Sequence, residues 1–282
     1  MSTRFYQYNT PELVVDHKHD APGTYVQPPM HIHNHYELTY LVSGRGNYYI
    51  EGTQYPVFAG GLLLIPPITA HVSRLDLSNV YERVIIQFSP ELLDELDPTG
   101  TIKTFLTASA PALLIPPSSY EVFFKRLYQQ IARLKNDPIA YQKSTLLNIL
   151  SLILFTLRNI QSTSATAPVA TGDSISDTIR NILEYINEHL TQEFTLDDLC
   201  KQFGISKSYL NKRFKEIYGT TLWNYVLVKR LTLARQQMHN GVPIHEAYRL
   251  SGFNDYSSFY RCFVKQFKHS PKEDVAFYTK HI

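Results

Sequence analysis

The sequence predicts an α+β protein of two domains: a small antiparallel β-barrel with a helical pair, then an all-α domain of two helix-turn-helix units. Three observations carry that prediction. Short β-rich runs separated by turn signals fill roughly the first 90 residues. Helical periodicity replaces them from about residue 119. The C-terminal part then repeats one supersecondary unit at an offset of about 48 residues. A chain of 282 residues is long enough for one large domain or two ordinary ones.

The β-rich runs are 38–43 (LTYLVS), 47–52 (NYYIEG), 62–67 (LLLIPP) and 83–88 (RVIIQF). Ser43-Gly44-Arg45-Gly46 and Glu51-Gly52 mark turns, and this density of short strands suits a barrel or sandwich. Further on, Phe123, Phe124, Leu127, Ile131 and Leu134 recur at helical spacing until Asp137-Pro138 breaks the helix. A second helix, about 141–159, is so apolar that it must bury most of its circumference. It packs either on the barrel or across a dimer interface. Residues 161–174 (QSTSATAPVATGDS) are small, polar and aperiodic, and read as a linker. The chain therefore divides into 1–160, 161–174 and 175–282.

Hydrophobic content of 44% with 18% charged residues fits a folded globular chain and excludes a disordered one. The start, MSTRFYQYNTPELVVD, lacks the apolar core of a signal peptide. The most apolar run, 146–157, holds about a dozen residues, where a membrane span takes roughly 20. A cytoplasmic chain with no membrane partner is expected. Cys200 and Cys262 form neither a disulfide framework nor a CxxC metal pair. The net charge of +2 hides an asymmetry: 1–160 carries 12 Lys+Arg against 13 Asp+Glu, whereas 175–282 carries 15 against 11. The basic excess of the C-terminal part points to a polyanionic partner.

In the repeat, Gly204 pairs with Gly252, Ser208 with Ser257, Leu210 with Phe259, Phe214 with Phe263 and Tyr218 with Phe267. Each copy reads as helix, glycine turn, helix. Thr195 and Asp198 form a capping-box pattern, Ser206 caps the second helix of unit one, and Asn254/Asp255 cap that of unit two. This is the helix-turn-helix layout, whose second helix enters the DNA major groove. The outward residues of those helices are Lys207, Ser208, Asn211, Lys212 and Lys215, then Tyr256, Ser257, Tyr260 and Arg261. Arg and Lys suit guanine, Asn suits adenine, and Ser suits several base edges. Lys215, Lys229, Arg230 and Lys265 suit phosphate.

Residues 175–282 resemble the DNA-binding domain of the AraC/XylS family of bacterial transcription regulators. The resemblance rests on Gly204-Ile205-Ser206, Ser208-Tyr209-Leu210, Phe214-Lys215, Ser251-Gly252-Phe253, Phe259, Phe263 and Ser270-Pro271. It implies two units in successive major grooves of double-stranded DNA, joined by a long helix at 222–240. Lys268 stands where the family usually has glycine.

Residues 31–44 read HIHNHYELTYLVSG. On a strand, alternate side chains share a face, so His31, His33, His35 and Glu37 could converge. The segment also resembles a cupin, the sensor domain common in the same family. His31, His33, Glu37 and Gly44 match the first cupin motif, and Gly60, Pro66 and His71 match the second. Ile68 and Leu75 stand where that motif has glycine and asparagine. The resemblance makes His31, His33, Glu37 and His71 the ligand-facing residues and sets His35 aside. Imidazole and carboxylate together suit a divalent transition metal. They also suit a hydroxyl-rich organic ligand covered by Tyr or Trp faces, or a purely structural cluster with no chemistry. Two functions follow. One is a ligand-responsive regulator, most simply an activator of carbohydrate-utilisation genes: a homodimer that reads a sugar and recruits RNA polymerase. The other is a metal-dependent cupin enzyme, a dioxygenase or isomerase, with a helical accessory domain.

Overall fold

A computed structural model describes residues 1–109, 111–114, 118–161 and 174–279. Among the described residues, nine strands form two antiparallel sheets. One has the order β1 (Ser2–Asn9), β2 (Leu13–Asp20), β8 (Tyr81–Phe88), β3 (Tyr36–Ser43), β6 (Leu62–Ile65) and β9 (Ala112–Leu114). The other has the order β5 (Thr53–Phe58), β4 (Arg45–Ile50) and β7 (His71–Leu75). All four expected β-rich runs are strands, and β1, β2, β5 and β7 join them.

Two short helices that the sequence reading left unassigned follow the barrel. Helix α1 (Pro90–Leu96) starts at Ser89, whose hydroxyl accepts the Leu92 N–H. Helix α2 (Thr101–Ser109) is anchored by the Asp97 carboxylate, which accepts the Ile102 and Lys103 N–H groups. The helical pair is α3 (Ser118–Arg133) and α4 (Ile139–Gln161), broken at Asp137-Pro138 as expected. Tyr128 of α3 stacks flat on Tyr40 of β3, with ring centroids 4.3 Å apart. Leu146, Ile149, Leu150, Ile153, Leu154 and Leu157 recur every three or four residues on α4 and bury one stripe against the barrel. Residues 139–160 meet the length and composition of a membrane span, more than the apolar run at 146–157 suggested. Only 33% of that span is buried, one stripe rather than most of the circumference as expected, and that stripe packs α4 into the core of this domain. Packing on the barrel is the first of the two roles expected for it.

The C-terminal part is helical: α5 (Ser174–Glu188), α6 (Leu196–Gln202), α7 (Lys207–Tyr218), α8 (Leu222–His239), α9 (Ile244–Leu250), α10 (Tyr256–Phe267) and α11 (Pro271–Thr279). Gln161 ends α4 and Ser174 begins α5; the rest of the expected linker, 162–173, lies outside the described residues. The caps fall where the sequence puts them. Thr195 and Asp198 make the reciprocal capping box, Ser206 accepts the Tyr209 N–H, and Asp255 accepts the Ser258 N–H. Unit one buries Leu210, Phe214 and Tyr218, and unit two buries Phe259 and Phe263. The apolar core of unit one also includes Met30, Ala70 and Val72 of the barrel.

The two units end alike. Gly219 closes α7 at φ 72° and Lys268 closes α10 at φ 68°. Both are left-handed, where a Cβ is costly. Lys268 is thus the departure from glycine noted in the sequence, held at a position that asks for one. Lys268→Gly is expected to raise stability by about 0.5–1 kcal/mol, the strain relieved less the added unfolded-state entropy. The midpoint of urea unfolding checks this; an unchanged or lower midpoint would contradict it.

Candidate sensor site and DNA-binding surface

His31, His33, Glu37 and His71 do come together: one ligand atom from each lies within 4.8 Å of the others. A single strand face does not do this. Strand β3 begins only at Tyr36, so the alternation of 31–37 is not that of one strand. His31 sits in an isolated backbone bridge with His71, the first residue of β7. His33 lies in the loop between His31 and β3, where its carbonyl accepts the Ile68 N–H at 2.9 Å. Glu37 is the second residue of β3. His35 points elsewhere, with its Nε2 2.8 Å from the Pro11 carbonyl, and burial pushes it down to about 4.

The three imidazoles are oriented by the same device. Each Nδ1 faces a backbone carbonyl: Pro29 at 3.2 Å for His31, His35 at 3.1 Å for His33 and Thr69 at 2.9 Å for His71. A carbonyl only accepts, so each Nδ1 donates, and in the neutral ring each Nε2 keeps its lone pair. His33 Nε2 then meets Glu37 Oε2 at 3.0 Å, acceptor against acceptor unless a proton or a cation lies between them. His71 Nε2 is buried, 3.7 Å from Glu37 Oε2, and has no hydrogen-bond partner among the described residues. Metal-binding histidines are held in this way, by the nitrogen that does not bind.

Charge is poised accordingly. His31 keeps an exposed edge, but loss of water around its ring, helped by the neighbouring His71, pushes it down to about 4, so it is neutral near pH 7. Burial would raise Glu37, but the His33 hydrogen-bond contact and the nearby His71 ring outweigh it and hold the carboxyl well below its usual range. Burial lowers His71, and the Glu37 carboxylate more than offsets that. Thr39 and Gln87 also donate to Glu37, at 2.8 and 2.7 Å, and fix its plane. The donor set fits a divalent transition ion.

Beside the quartet lies a cavity of about 420 Å³, bordered by His31 and Glu37 and by Tyr25, Tyr48, Tyr81, Arg83 and Gln87. Arg83 is buried, paired with Asp20, and its guanidinium lies 4.6 Å from the Tyr81 ring centroid and 5.0 Å from that of Tyr25. The sequence reading missed these residues. The signal was there: Tyr81, Arg83, Ile85 and Gln87 alternate along β8 and so share the inner face. The single Trp, Trp223, lies on α8 and not at this pocket.

On the helical side, Lys207, Ser208, Lys212, Lys215, Tyr256, Ser257, Tyr260 and Arg261 are exposed on α7 and α10, and Asn211 is half-buried. Lys207 is paired with Asp197 at 2.7 Å. Two of the expected phosphate contacts are engaged within the protein instead. Lys229 is buried, and Arg230 donates to the carbonyls of Leu190, Gln192 and Gly252, stitching the two units together. Lys215 and Lys265 remain exposed.

Comparison with known proteins agrees with both halves. A model of the AraC-like ligand binding domain matches residues 17–142, and a model of a helix-turn-helix domain matches residues 199–275. Regulatory protein SoxS of Escherichia coli is 30% identical over 96 residues, which is 34% of this chain and 90% of SoxS. The chain belongs to the AraC family of transcription regulators. Along nearly its whole length it is 22% identical to the HTH-type transcriptional activator RhaR of Mannheimia succiniciproducens, over 93% of this chain and 90% of RhaR. The xylose operon regulatory protein of Escherichia coli is 32% identical over 92 residues, 32% of this chain and 24% of that protein. AraC-family membership sets aside the enzyme alternative and makes the barrel the sensor and the tandem units the DNA reader.

The site of this AraC-family sensor yields a pH-dependent expectation. His71 is raised, so as pH falls through its titration a proton occupies the place a metal would take. Affinity for Zn²⁺ is therefore expected to rise with pH, with proton release, and to drop more than about tenfold in His71→Ala. Calorimetry in buffers of different ionisation enthalpy measures both. Binding that is flat from pH 5 to 8 would count against the quartet.

Proposed function

We propose that this regulator senses a small hydroxyl-rich molecule, a sugar or oligosaccharide, in the barrel pocket. A divalent metal held by His31, His33, Glu37 and His71 anchors it, and the chain answers as an activator that recruits RNA polymerase in the cytoplasm. The observation that carries the reading is the buried, unpartnered His71 Nε2 beside a cavity lined by tyrosines and Arg83. A buried polar atom asks for a partner. A divalent metal held by His31, His33, Glu37 and His71 would supply one at the border of the cavity. Tyrosine faces suit the apolar side of a sugar ring, while Arg83, Gln87 and Ser73 offer hydrogen bonds. The relatives named for xylose regulation and for activation support the sugar and the activator.

The base-reading surface of this proposal is Lys207, Ser208, Asn211, Lys212 and Lys215 on α7, with Tyr256, Ser257, Tyr260 and Arg261 on α10. Lys212→Ala and Arg261→Ala are each expected to weaken specific binding by about 1–3 kcal/mol. The measurement is anisotropy on a duplex selected from a random pool, with and without a panel of sugars in Zn²⁺-loaded protein. Both variants binding like wild type would remove these helices from the interface. A panel in which no sugar shifts the isotherm would remove the sugar.

The outer face of α4 supports a homodimer. Leu152 and Phe155 are exposed on its outer side, at the rim of a cavity of about 690 Å³ shared with α1 and α2. We assign that face to a second copy of the chain. Phe155→Glu is expected to shift sedimentation toward the monomer; a wild-type chain that is already monomeric at micromolar concentration would refute the assignment.

A further inference from the structure

The first helix-turn-helix unit is fastened to the sensor at Met30, next to His31, and at the Glu51-Gly52 turn, which is itself bonded to Ala70, next to His71. The Met30 N–H donates to the carbonyl of Tyr218, the last residue of α7, at 3.0 Å. The Gly52 N–H donates to the Tyr218 hydroxyl at 2.7 Å. Tyr218 is fully buried. Its helix carries Lys207 to Lys215, so the sensor grips one end of a recognition helix.

Beside it, Glu51 reaches across the boundary. Its carboxylate accepts from Lys229 Nζ at 2.7 Å, from Asn187 Nδ2 at 3.0 Å and from the Tyr225 hydroxyl. The same carboxylate accepts the Ala70 N–H at 2.7 Å, and the Glu51 N–H donates to the Ala70 carbonyl at 3.1 Å. Ala70 is the residue before His71. His31 and His71 are themselves joined by two backbone hydrogen bonds of 3.1 Å.

The backbone here is strained. Glu51 and Gly52 form the two-residue turn between β4 and β5, with φ of 45° and 84°. Asn or Gly is the usual first residue of such a turn. A Cβ on Gly52 would lie 2.6 Å from the Cα of Arg180 on α5, so the turn is pressed onto the DNA-binding domain. Ile68, three residues before His71, has φ 56°, a conformation a β-branched residue rarely adopts. Strain of this kind persists where the surroundings over-determine it.

We propose that the Glu51-Gly52 turn and Tyr218 form a clasp that holds the first helix-turn-helix unit on the sensor, and that the segments 30–31 and 68–71 open it when the His31–His71 site fills. The clasped form is the weaker DNA binder. With α7 bonded to the barrel, the sensor rather than the DNA sets its place relative to α10, and Glu51 occupies the Lys229 cation. His31 and His71 would both hold the occupant, and the residues just before them, Met30 and Ala70, are the ones whose amides hold Tyr218 and Glu51. Two states with different affinity for the occupant are all that regulation requires. The opening step rests on the sensor-site reading above; the clasp does not.

The test uses the full chain, a duplex selected from a random pool, and hydrogen exchange. Glu51→Gln is expected to bind DNA at least threefold tighter and to speed exchange of the Met30 and Gly52 amides at least tenfold. Tyr218→Phe, which removes one hydroxyl, shifts both in the same direction. Glu95→Gln removes one exposed sensor charge and is the control for simple charge gain. In wild type, Zn²⁺ speeds the same amides and tightens DNA binding; in Glu51→Gln it no longer changes DNA binding. Clasp variants that match Glu95→Gln, or that bind DNA more weakly, overturn the clasp. Zn²⁺ that binds without altering those amides overturns the opening step. Zn²⁺ that does not bind overturns the metal assignment alone, and Glu51→Gln against Glu95→Gln then decides the clasp.

Discussion

Two backbone hydrogen bonds between His31 and His71 are the constraint on which the rest of this structure depends. They pin the segment before β3 to the start of β7. That pairing brings imidazoles from distant parts of the chain over the Glu37 carboxylate. It also puts Met30 and Ala70, the residues just before each histidine, against the helical domain. Sensor residues and boundary residues are thus neighbours along the backbone. A displacement at one is a displacement at the other, with no long relay needed.

The conformational outliers fall in two places. Among the described residues, Glu51, Ile68 and Lys268 are the non-glycine residues with positive φ. Lys268 ends a recognition helix and its side chain serves no site in this structure. Glu51 and Ile68 flank the sensor histidines, and their strain is balanced by bonds to other elements. The Ile68 N–H is taken by His33, and the Glu51 carboxylate by four donors from three segments. A glycine at either place would remove the strain. At position 51 it would also remove the carboxylate.

Local signals were legible in the sequence. The caps at Thr195, Ser206 and Asp255, the glycine turns and the buried Leu210/Phe214 and Phe259/Phe263 pairs all depend on residues a few positions apart. The quartet was legible through the cupin motif spacing, whereas alternation along one strand put His35 in place of His71. Its members come from a bridge, a loop and two strands. What the sequence hid was set by distant partners. Strands β1 and β2 carry polar residues such as Gln7, Asp16 and Lys18, so their pattern is faint. Lys229 looks like any cation on a DNA-binding helix until Glu51, 178 positions away, is seen to hold it. Arg230 likewise reads as a phosphate contact, yet three carbonyls take its donors.

The boundary between sensor and reader combines apolar contact with a buried polar cluster, and the two do different work. Met30, Ala70 and Val72 supply adhesion to Ile182, Ile186 and Tyr218. Apolar contact is not directional, and alone it would let the helices slide. The Glu51–Lys229 pair adds little net stability, because both charges lose water to form it. It adds geometry: Glu51 meets Lys229, Asn187 and Tyr225 in one register only. Once the turn moves, water reclaims the same groups, so the cost of opening is modest. A dry boundary would hold the first unit in place permanently; a fully polar one would not hold it at all. The mixture suits a contact that must be both specific and reversible.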